Sequence, residues 1–195
     1  MKEKYLYIIG GCNGAGKTTA SFNILPDLLN CKEFVNADEI ARGLSPFQPE
    51  SVSIKAGRLM LKRIDELINS NQDFSFETTL STKSFINTIE NARSKGYYVT
   101  LIFFWLESIE LAKDRVRKRV SEGGHNIEID VIERRYNAGI KNLFSLYCNK
   151  VDSLLIYDSS KAESELIAEK EIEDELFTIY NNQKFNSLKI ISNEQ

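Results

Sequence analysis

Apolar residues occur along this chain in short runs that alternate with stripes of helical spacing. The short runs are rich in β-branched and aromatic side chains, which is typical of strands, and they cover residues 5–9, 34–37, 73–77, 97–106 and 154–157. The stripes repeat an apolar side chain every three or four residues, as one face of a helix requires. They predict helices over residues 51–69, 85–92, 109–120 and 129–147, and a further helix over 19–25 follows the first strand.

The predicted elements follow one another as strand and helix through residues 5–157. This order implies right-handed crossovers and a parallel sheet with helices on both faces. Residues 97–106 form the most apolar run, and their length and composition predict a central strand buried on both faces. The predicted fold is therefore α/β: a three-layer α/β/α domain with a five-stranded, mostly parallel sheet.

Residues 162–195 are predicted to form a small C-terminal extension of this domain. Within it, residues 166–170 and 175–180 fit either a hairpin or one charged helix. The strand formers at 176–180 favour the hairpin, and residues 192–195 are expected to be a frayed tail. Since the chain shows no internal repeat or linker-like stretch, we expect residues 1–195 to form a single domain.

Composition narrows the class of protein. A hydrophobic content of 42% and a charged content of 27% are ordinary for a soluble domain, and no apolar run reaches membrane-spanning length. The net charge of −3 argues against a nucleic-acid partner, which would call for a basic face. Three cysteines without paired spacing predict reduced thiols in the cytoplasm, and a single histidine argues against a histidine-based zinc site.

A glycine-rich stretch at residues 11–18 carries the clearest chemistry. It reads Gly-Cys-Asn-Gly-Ala-Gly-Lys-Thr between a predicted strand and a predicted helix, the context of a phosphate-binding loop (P-loop). In such a loop Lys17 reaches the β- and γ-phosphates of ATP, and the Thr18 hydroxyl holds Mg²⁺. The alternative is a glycine-rich turn with a chance lysine. The candidate nucleotide-binding residues are Gly11, Asn13, Gly14, Ala15, Gly16, Lys17, Thr18 and Thr19.

Three acidic residues lie at the ends of predicted strands: Asp38, Glu77 and Asp158. Ligands of a parallel sheet bind outside the carboxyl ends of its strands, so these side chains are candidates for the site. Phosphoryl transfer to a hydroxyl needs a carboxylate that accepts the proton, a role that suits Asp38 or Glu77. The other carboxylate would hold the acceptor or a Mg²⁺-bound water, and Asp158 would lie at the base-binding pocket. The alternative for Asp38 and Glu77 is that each caps the helix that follows.

Basic residues cluster in a lid-like segment, residues 113–135. Two predicted helices meet there at the glycine pair 123–124, which is how a kinase lid closes on a nucleotide and brings guanidinium groups to the phosphoryl group. Arg119 and Arg135 are the first catalytic candidates, followed by Arg115 and Arg134 as phosphate-binding residues. The alternative is a solvated basic face. His125 is interpreted as a loop residue that forms hydrogen bonds.

Several motifs together resemble the zeta-toxin family of P-loop kinases. They are the loop at 11–19, Asn-Ala-Asp-Glu-Ile at 36–40, Phe-Glu-Thr-Thr at 76–79, Gly-Gly-His at 123–125, Arg-Arg-Tyr at 134–136 and Tyr-Asp-Ser at 157–159. The resemblance runs from about residue 5 to residue 160 and is to a compact form of the family. The ordered set is far more specific than the first motif alone.

The resemblance implies an ATP- and Mg²⁺-dependent kinase of the toxin–antitoxin type. Family members phosphorylate a hydroxyl of UDP-N-acetylglucosamine and are restrained by a small helical antitoxin. Lys17 and Thr18 match the nucleotide and Mg²⁺ positions, Asp38 the catalytic base, and Glu77 the carboxylate near the acceptor. The spacing of the lid differs from the family pattern, so its arginines are candidates and not equivalents.

Two other functions fit the same residues. One is a metabolic or antibiotic-modifying kinase that phosphorylates another hydroxyl compound. The other is a switch that binds ATP without transferring phosphate. Asp38 and Glu77 argue against the switch, because a binding module needs no carboxylates directed at the γ-phosphate.

Overall fold

Strands and helices alternate through most of the computed structural model, which describes residues 3–24, 26, 29–124, 126–174 and 176–193. The strands are β1 (Lys4–Gly11), β2 (Phe34–Val35), β3 (Phe74–Thr78), β4 (Tyr97–Trp105), β5 (Ser153–Asp158), β6 (Glu165–Glu171) and β7 (Thr178–Ile179). The helices are α1 (Lys17–Ile24), α2 (Ala37–Leu44), α3 (Ser53–Asn69), α4 (Ile86–Ser94), α5 (Ile109–Ser121), α6 (Ile129–Asn142) and α7 (Asn182–Asn193).

The strands form one sheet in the order β2-β3-β1-β4-β5-β6-β7. The first five in this order pair in parallel, which confirms the predicted α/β fold with its parallel sheet. β4 is central, and all its side chains except that of Tyr98 are buried. Because parallel strands align their carboxyl ends, the residues that follow β1, β2, β3 and β5 meet at one edge of the sheet.

The predicted number of strands was wrong, because the sheet has seven strands and not five. β6 and β7 extend it in antiparallel fashion beyond β5. Ile167 and Ala168 of β6 are fully buried, so this strand covers what would otherwise be an exposed edge of the parallel sheet. A hairpin thus forms at this point, as the strand formers indicated, although Glu175 within it lies outside the described residues.

Helix α7 was missing from the sequence-based prediction, which assigned a frayed tail to residues 192–195. The helix extends to Asn193, and residues 194 and 195 lie outside the described part of the chain. Phe185 packs against Phe144 and Phe177 with ring centroids 5.9 and 5.0 Å apart. These aromatic contacts, one of them with a residue 41 positions away, supply the burial that makes the segment helical.

Helix α2 had no predicted range, and the strand predicted over 34–37 is shorter, because β2 ends at Val35 and α2 begins at Ala37. The remaining helices follow their predictions with small differences at the ends. α1 begins at Lys17 inside the phosphate-binding motif, and Leu25, its predicted last residue, lies outside the described residues. A 3₁₀ turn, Pro49–Val52, precedes α3, and the helix predicted over 129–147 becomes a π-helix at Leu143–Tyr147. Within the described ranges, no helix is both long enough and apolar enough to cross a bilayer.

Gly139 allows α6 to lie close to the segment that follows β3. A Cβ atom at Gly139 would lie 2.6 Å from the carbonyl oxygen of Thr79, a distance that side chains do not reach without a backbone shift. We expect Gly139→Ala to lower the free energy of unfolding by about 1–3 kcal/mol through overpacking, although alanine is the better helix former.

Gly57→Ala on α3 is the matched control for this prediction. A Cβ atom at Gly57 meets nothing within 4 Å, so this substitution should be neutral or stabilise the protein by up to about 1 kcal/mol. Chemical denaturation of both variants measures the difference. Equal stability of the two variants would contradict the close packing of α6.

Candidate active site

The phosphate-binding loop lies between β1 and α1, as its sequence context indicated. Gly14 has φ +83°, and a Cβ atom there would lie 2.9 Å from the carbonyl oxygen of Ala112 on α5. Only glycine meets both conditions, because the backbone is left-handed and the neighbouring helix leaves no room. The loop is therefore held against the first lid helix.

Lys17, Thr18 and Glu77 lie together at the start of α1. The Lys17 side chain is only 5% exposed, and its ammonium donates to the carbonyl of Cys12 over 2.8 Å and lies 3.4 Å from Oε1 of Glu77. The Thr18 hydroxyl donates to Oε2 of Glu77 over 2.7 Å. The end of β3 thus delivers a carboxylate directly to the two loop residues that the sequence assigned to phosphate and metal.

Asn36 is a site residue that the sequence reasoning missed. Its Nδ2 donates to Oε2 of Glu77 over 2.8 Å, and its Oδ1 accepts from the backbone N–H groups of Asp38 and Glu39 over 2.8 and 3.3 Å. Asn36 is thus the N-cap of α2, and the alternative that Asp38 caps this helix was wrong. The signal was available, because asparagine before a helix is a strong capping residue.

The capping alternative for Glu77 was also wrong. Glu77 lies within β3, and the next helix, α4, begins at Ile86 after Phe85. The carboxylate of Glu77 is directed at Lys17, Thr18 and Asn36, and 12% of its side chain is exposed. Its partners all belong to the candidate site.

A cavity of about 420 Å³ opens beside these residues. Lys17, Asp38, Glu77 and Arg135 lie on its wall, so the structure brings together both candidate carboxylates and one lid arginine. Much of the remaining wall consists of apolar, hydroxyl-bearing and basic side chains. These are Ile54, Met60, Leu61, Phe85, Thr78, Thr79, Ser81, Thr82, Ser84 and Arg58.

Arg135 is directed into the site by the packing of α6. The neighbouring Tyr136 is buried, donates to the Leu106 carbonyl over 2.7 Å and accepts from the Trp105 indole over 3.1 Å, which fixes α6 at the end of β4. The Arg135 guanidinium donates to Oδ1 of Asn13 over 3.1 Å. Burial lowers the pKa of Arg135 below its ordinary value, an effect that nearby Asp38 opposes.

The other lid arginines differ in position. Arg119 lines a second cavity of about 480 Å³ together with Thr18, Asp38 and Arg135. Arg115 donates to the Gly14 carbonyl over 3.4 Å, so it contacts the loop itself. Arg134 is exposed and lies outside the linings of both cavities. His125, between the two lid helices, lies outside the described residues.

A groove of about 490 Å³ runs along the other side of the loop. Its wall is formed by Ala15, Gly16, Thr19, Ala20, Phe104, Arg115, Tyr157, Ser159, Lys161, Ala162 and Ser164. Ser159 anchors this wall, because its hydroxyl donates to the Ala15 carbonyl over 2.8 Å. The position next to the loop suits the base and ribose of a nucleotide whose phosphates lie at residues 11–18.

Asp158 is not among the residues that line this groove, whereas its neighbours Tyr157 and Ser159 are. Its buried carboxylate instead accepts hydrogen bonds from Lys184 over 2.5 Å and from the Ser160 backbone over 2.8 Å. Burial by itself would raise the pKa of Asp158, but these hydrogen bonds outweigh it and hold the pKa below its ordinary value. Asp158 is therefore an ionised anchor under the groove.

The metal-binding capacity of the site follows from its oxygen atoms. Among the described residues, no group of three or more histidine, cysteine, aspartate or glutamate side chains could hold a metal ion by itself. Mg²⁺ usually takes only one or two protein oxygens and completes its shell with phosphates and water. The Thr18 hydroxyl and the adjacent Glu77 carboxylate fit that requirement.

Solved structures share this fold over nearly the whole chain. The crystal structure of AvrRxo1-ORF1 with AvrRxo1-ORF2 and ATP has a TM-score of 0.75 at 17% identity, covering 99% of this chain and 64% of that chain. A structure of the PezAT chromosomal toxin–antitoxin system of Streptococcus pneumoniae has a TM-score of 0.68 at 17% identity, covering 98% of this chain and 85% of that chain. At these identities the likeness shows the fold.

Sequence comparison identifies the family. An uncharacterized protein of Haemophilus influenzae is 33% identical over 137 residues, which are 70% of this chain and 94% of that protein. The Zeta toxin family model matches residues 1–172, a range that includes the phosphate-binding loop, both candidate carboxylates and the lid arginines. With this match over most of its length, the chain belongs to the zeta-toxin family.

Proposed function

We propose that this protein is an ATP-dependent kinase that transfers the γ-phosphate to a hydroxyl of a small molecule, with a nucleotide sugar such as UDP-N-acetylglucosamine as the leading acceptor. One observation carries the proposal. Lys17 and Thr18 of the phosphate-binding loop and the carboxylates Asp38 and Glu77 surround adjoining cavities at the carboxyl edge of the sheet.

The nucleotide would lie across the loop from the groove to the cavity. Its base and ribose occupy the groove beside Ala15 and Tyr157, and its β- and γ-phosphates reach Lys17. Thr18 would hold Mg²⁺, which would neutralise phosphate charge when bound. The ATP complex of AvrRxo1-ORF1, which has the same fold, supports ATP as the phosphate donor.

The chemistry then depends on a base and on positive charge. Asp38 accepts the proton of the acceptor hydroxyl as its oxygen attacks the γ-phosphorus, and the bond to the β-phosphate oxygen breaks. Arg135 and Arg119 stabilise the charge on the transferring group, and the lid excludes water. Glu77 aligns the acceptor, because its carboxylate faces the cavity that Asp38 also lines.

The wall of the 420 Å³ cavity supports a polyhydroxylated acceptor with an anionic part. Hydroxyl side chains at residues 78–84 can exchange hydrogen bonds with sugar hydroxyls, while Ile54 and Leu61 offer apolar surface to a base or an acetyl group. Arg58 at the same wall can receive a phosphate. A nucleotide sugar combines all three features. The likeness to PezAT, a toxin–antitoxin system, further supports an antitoxin as the partner.

Transfer of label from γ-labelled ATP in the presence of Mg²⁺ tests the proposal. The acceptors are a panel of nucleotide sugars, free sugars and aminoglycosides, each assayed beside Asp38→Asn. Labelled UDP-N-acetylglucosamine with the wild type alone is the expected result. Label on another hydroxyl compound would keep the reaction but replace the substrate. ATP binding without label on any acceptor would favour the non-catalytic switch.

Asn36→Asp separates the structural role of Asn36 from its role at Glu77. Aspartate still caps α2, so we expect little change in the midpoint of thermal unfolding. It cannot donate to Glu77 and puts a second negative charge beside it, so turnover should fall by about tenfold or more. Label transfer and thermal unfolding of the variant measure the two effects. Wild-type turnover would show that Asn36 only caps the helix.

A further inference from the structure

Helix α7 lies beyond residue 172, where the match to the family model ends. It is nevertheless a packed part of the domain, because Phe185 and Leu188 are buried against the core. Its first turn lies next to β6: Asn181 donates to Oε1 of Glu165 over 2.7 Å and accepts from the Lys184 backbone over 3.1 Å. This arrangement directs the Lys184 side chain to the end of β5.

Lys184 makes a pair of ionic contacts there. Its ammonium lies 2.5 Å from Oδ2 of Asp158 and 2.6 Å from Oε2 of Glu165. The two partners differ in burial, because the Asp158 side chain is 3% exposed and that of Glu165 is 46% exposed. Only the contact with Asp158 lies in a setting where an ion pair is weakly screened, so it is the stronger constraint on Lys184.

Further hydrogen bonds connect Asp158 to the groove beside the phosphate-binding loop, where the base and ribose of the nucleotide are proposed to lie. The other carboxylate oxygen of Asp158, Oδ1, accepts from both the backbone and the hydroxyl of Ser160 over 2.8 and 2.5 Å. Ser160 in turn accepts from the Arg115 guanidinium at its carbonyl over 2.8 Å and from the Glu107 backbone at its hydroxyl over 2.9 Å. Arg115 lines the groove and also contacts the phosphate-binding loop.

We propose that Lys184 is a positioning residue for the nucleotide: it holds Asp158, and through Ser160 it fixes Arg115 at the wall of the groove beside the phosphate-binding loop. This inference rests on the proposed function, since it concerns the same nucleotide. It adds a residue outside the family match, on a helix that the sequence pattern did not reveal. Lys184 acts through Asp158 and does not line the groove or either cavity.

The physical reason is the cost of a buried charge. Without the ammonium, Asp158 would be a buried carboxylate whose remaining partners come from Ser160 alone. The segment from 158 to 160 would then shift toward water, because solvation of the carboxylate is the alternative to pairing. Ser160 and the Arg115 contact would move with it.

Titration of ATP with Mg²⁺ into wild-type and variant protein by calorimetry tests the inference. Lys184→Met removes the ammonium at nearly constant length, and Lys184→Arg keeps a cation. Glu165→Gln is the matched control, because it removes the exposed partner of Lys184 and leaves the contact with Asp158. We expect Lys184→Met to raise the dissociation constant for ATP about three- to tenfold, with the other two close to wild type.

The kinetics of label transfer distinguish the proposed role from a general loss of stability, because only the proposed role changes the KM for ATP and leaves the KM for the acceptor unchanged. For Lys184→Met we expect a higher KM for ATP and an unchanged KM for the acceptor. Asp158→Asn/Lys184→Met removes both charges and with them the drive of the carboxylate toward water, so its ATP affinity should return to within about twofold of wild type. If Lys184→Met does not fold, Lys184→Gln takes its place in both comparisons.

The possible failures are distinguishable. Wild-type ATP affinity in folded Lys184→Met, or an ATP affinity of the double variant as low as that of Lys184→Met, would overturn the role of Lys184 and leave the proposed function intact. An equal loss of ATP affinity in Glu165→Gln would also overturn the role of Lys184, because it would mean that the exposed contact with Glu165, and not the contact with Asp158, determines ATP binding. A wild-type protein that binds no ATP would overturn both proposals.

Discussion

Asp38→Asn should lower the turnover number by about two to four orders of magnitude, the range for loss of a general base. The asparagine amide occupies the same volume but cannot accept the proton of the acceptor hydroxyl. Affinity for ATP should be nearly unchanged, because the contacts of Lys17 and Thr18 do not involve Asp38. The fold should also be retained, since Asn36 and not Asp38 caps α2.

Asp65→Asn is the matched control for this prediction, because Asp65 is an exposed acid on α3 outside the linings of the site cavities. It should behave as the wild type in label transfer, ATP titration and thermal unfolding. Activity of Asp38→Asn equal to that of the control would remove Asp38 as the base. Glu77 would then be the remaining candidate carboxylate.

Lys17→Met should weaken ATP binding and lower turnover by about two to three orders of magnitude, the range for loss of one preorganised donor. Two effects act in the same direction. The phosphates lose a buried cation, and Glu77 loses the ammonium that lies 3.4 Å from it, so its charge faces the phosphates unopposed. The variant should affect both binding and chemistry, whereas Asp38→Asn affects chemistry alone.

Lys62→Met controls for the loss of a lysine elsewhere, since Lys62 is 75% exposed and pairs only weakly with Glu66 over 3.9 Å. ATP titration and label transfer on both variants measure the contrast. Full retention of ATP binding by Lys17→Met would contradict the assignment of residues 11–18 as a phosphate-binding loop. Thermal unfolding of the variant separates this outcome from a loss of fold.

The sequence predicted the parallel half of the sheet because each of its strands carries a local signal. β4 is a continuous apolar run, and β1 is followed by a glycine-rich loop with a fixed spacing of residues. The parallel direction of these strands follows from their alternation with helices, whereas their order, β2-β3-β1-β4-β5, was not predicted. The hairpin of β6 and β7 was predicted from strand formers, but its addition to the same sheet was not, because the edge it covers exists only in the folded protein.

The site shows the same division between local signals and contacts across the chain. Lys17, Thr18, Asp38 and Glu77 could be named from the sequence, since each lies near the end of a strand or the start of a helix at one edge of the sheet. The hydrogen bond from Asn36 to Glu77 joins residues that are 41 positions apart. The hydrogen bond from Arg135 to Asn13, which distinguishes Arg135 from the other lid arginines, joins residues that are 122 positions apart. Such pairings leave no periodic trace in the sequence.

The sequence by itself determined the α/β class, the phosphate-binding loop and the two candidate carboxylates, because these depend on short-range spacing and on the rules of parallel sheets. Only the tertiary structure decided which residues the carboxylates face, that Asp158 lies under the groove as the partner of Lys184, and that residues 182–193 form a helix. These features depend on burial and on contacts between distant segments. Burial sets the strength of an ion pair, and packing makes a weakly helical segment fold.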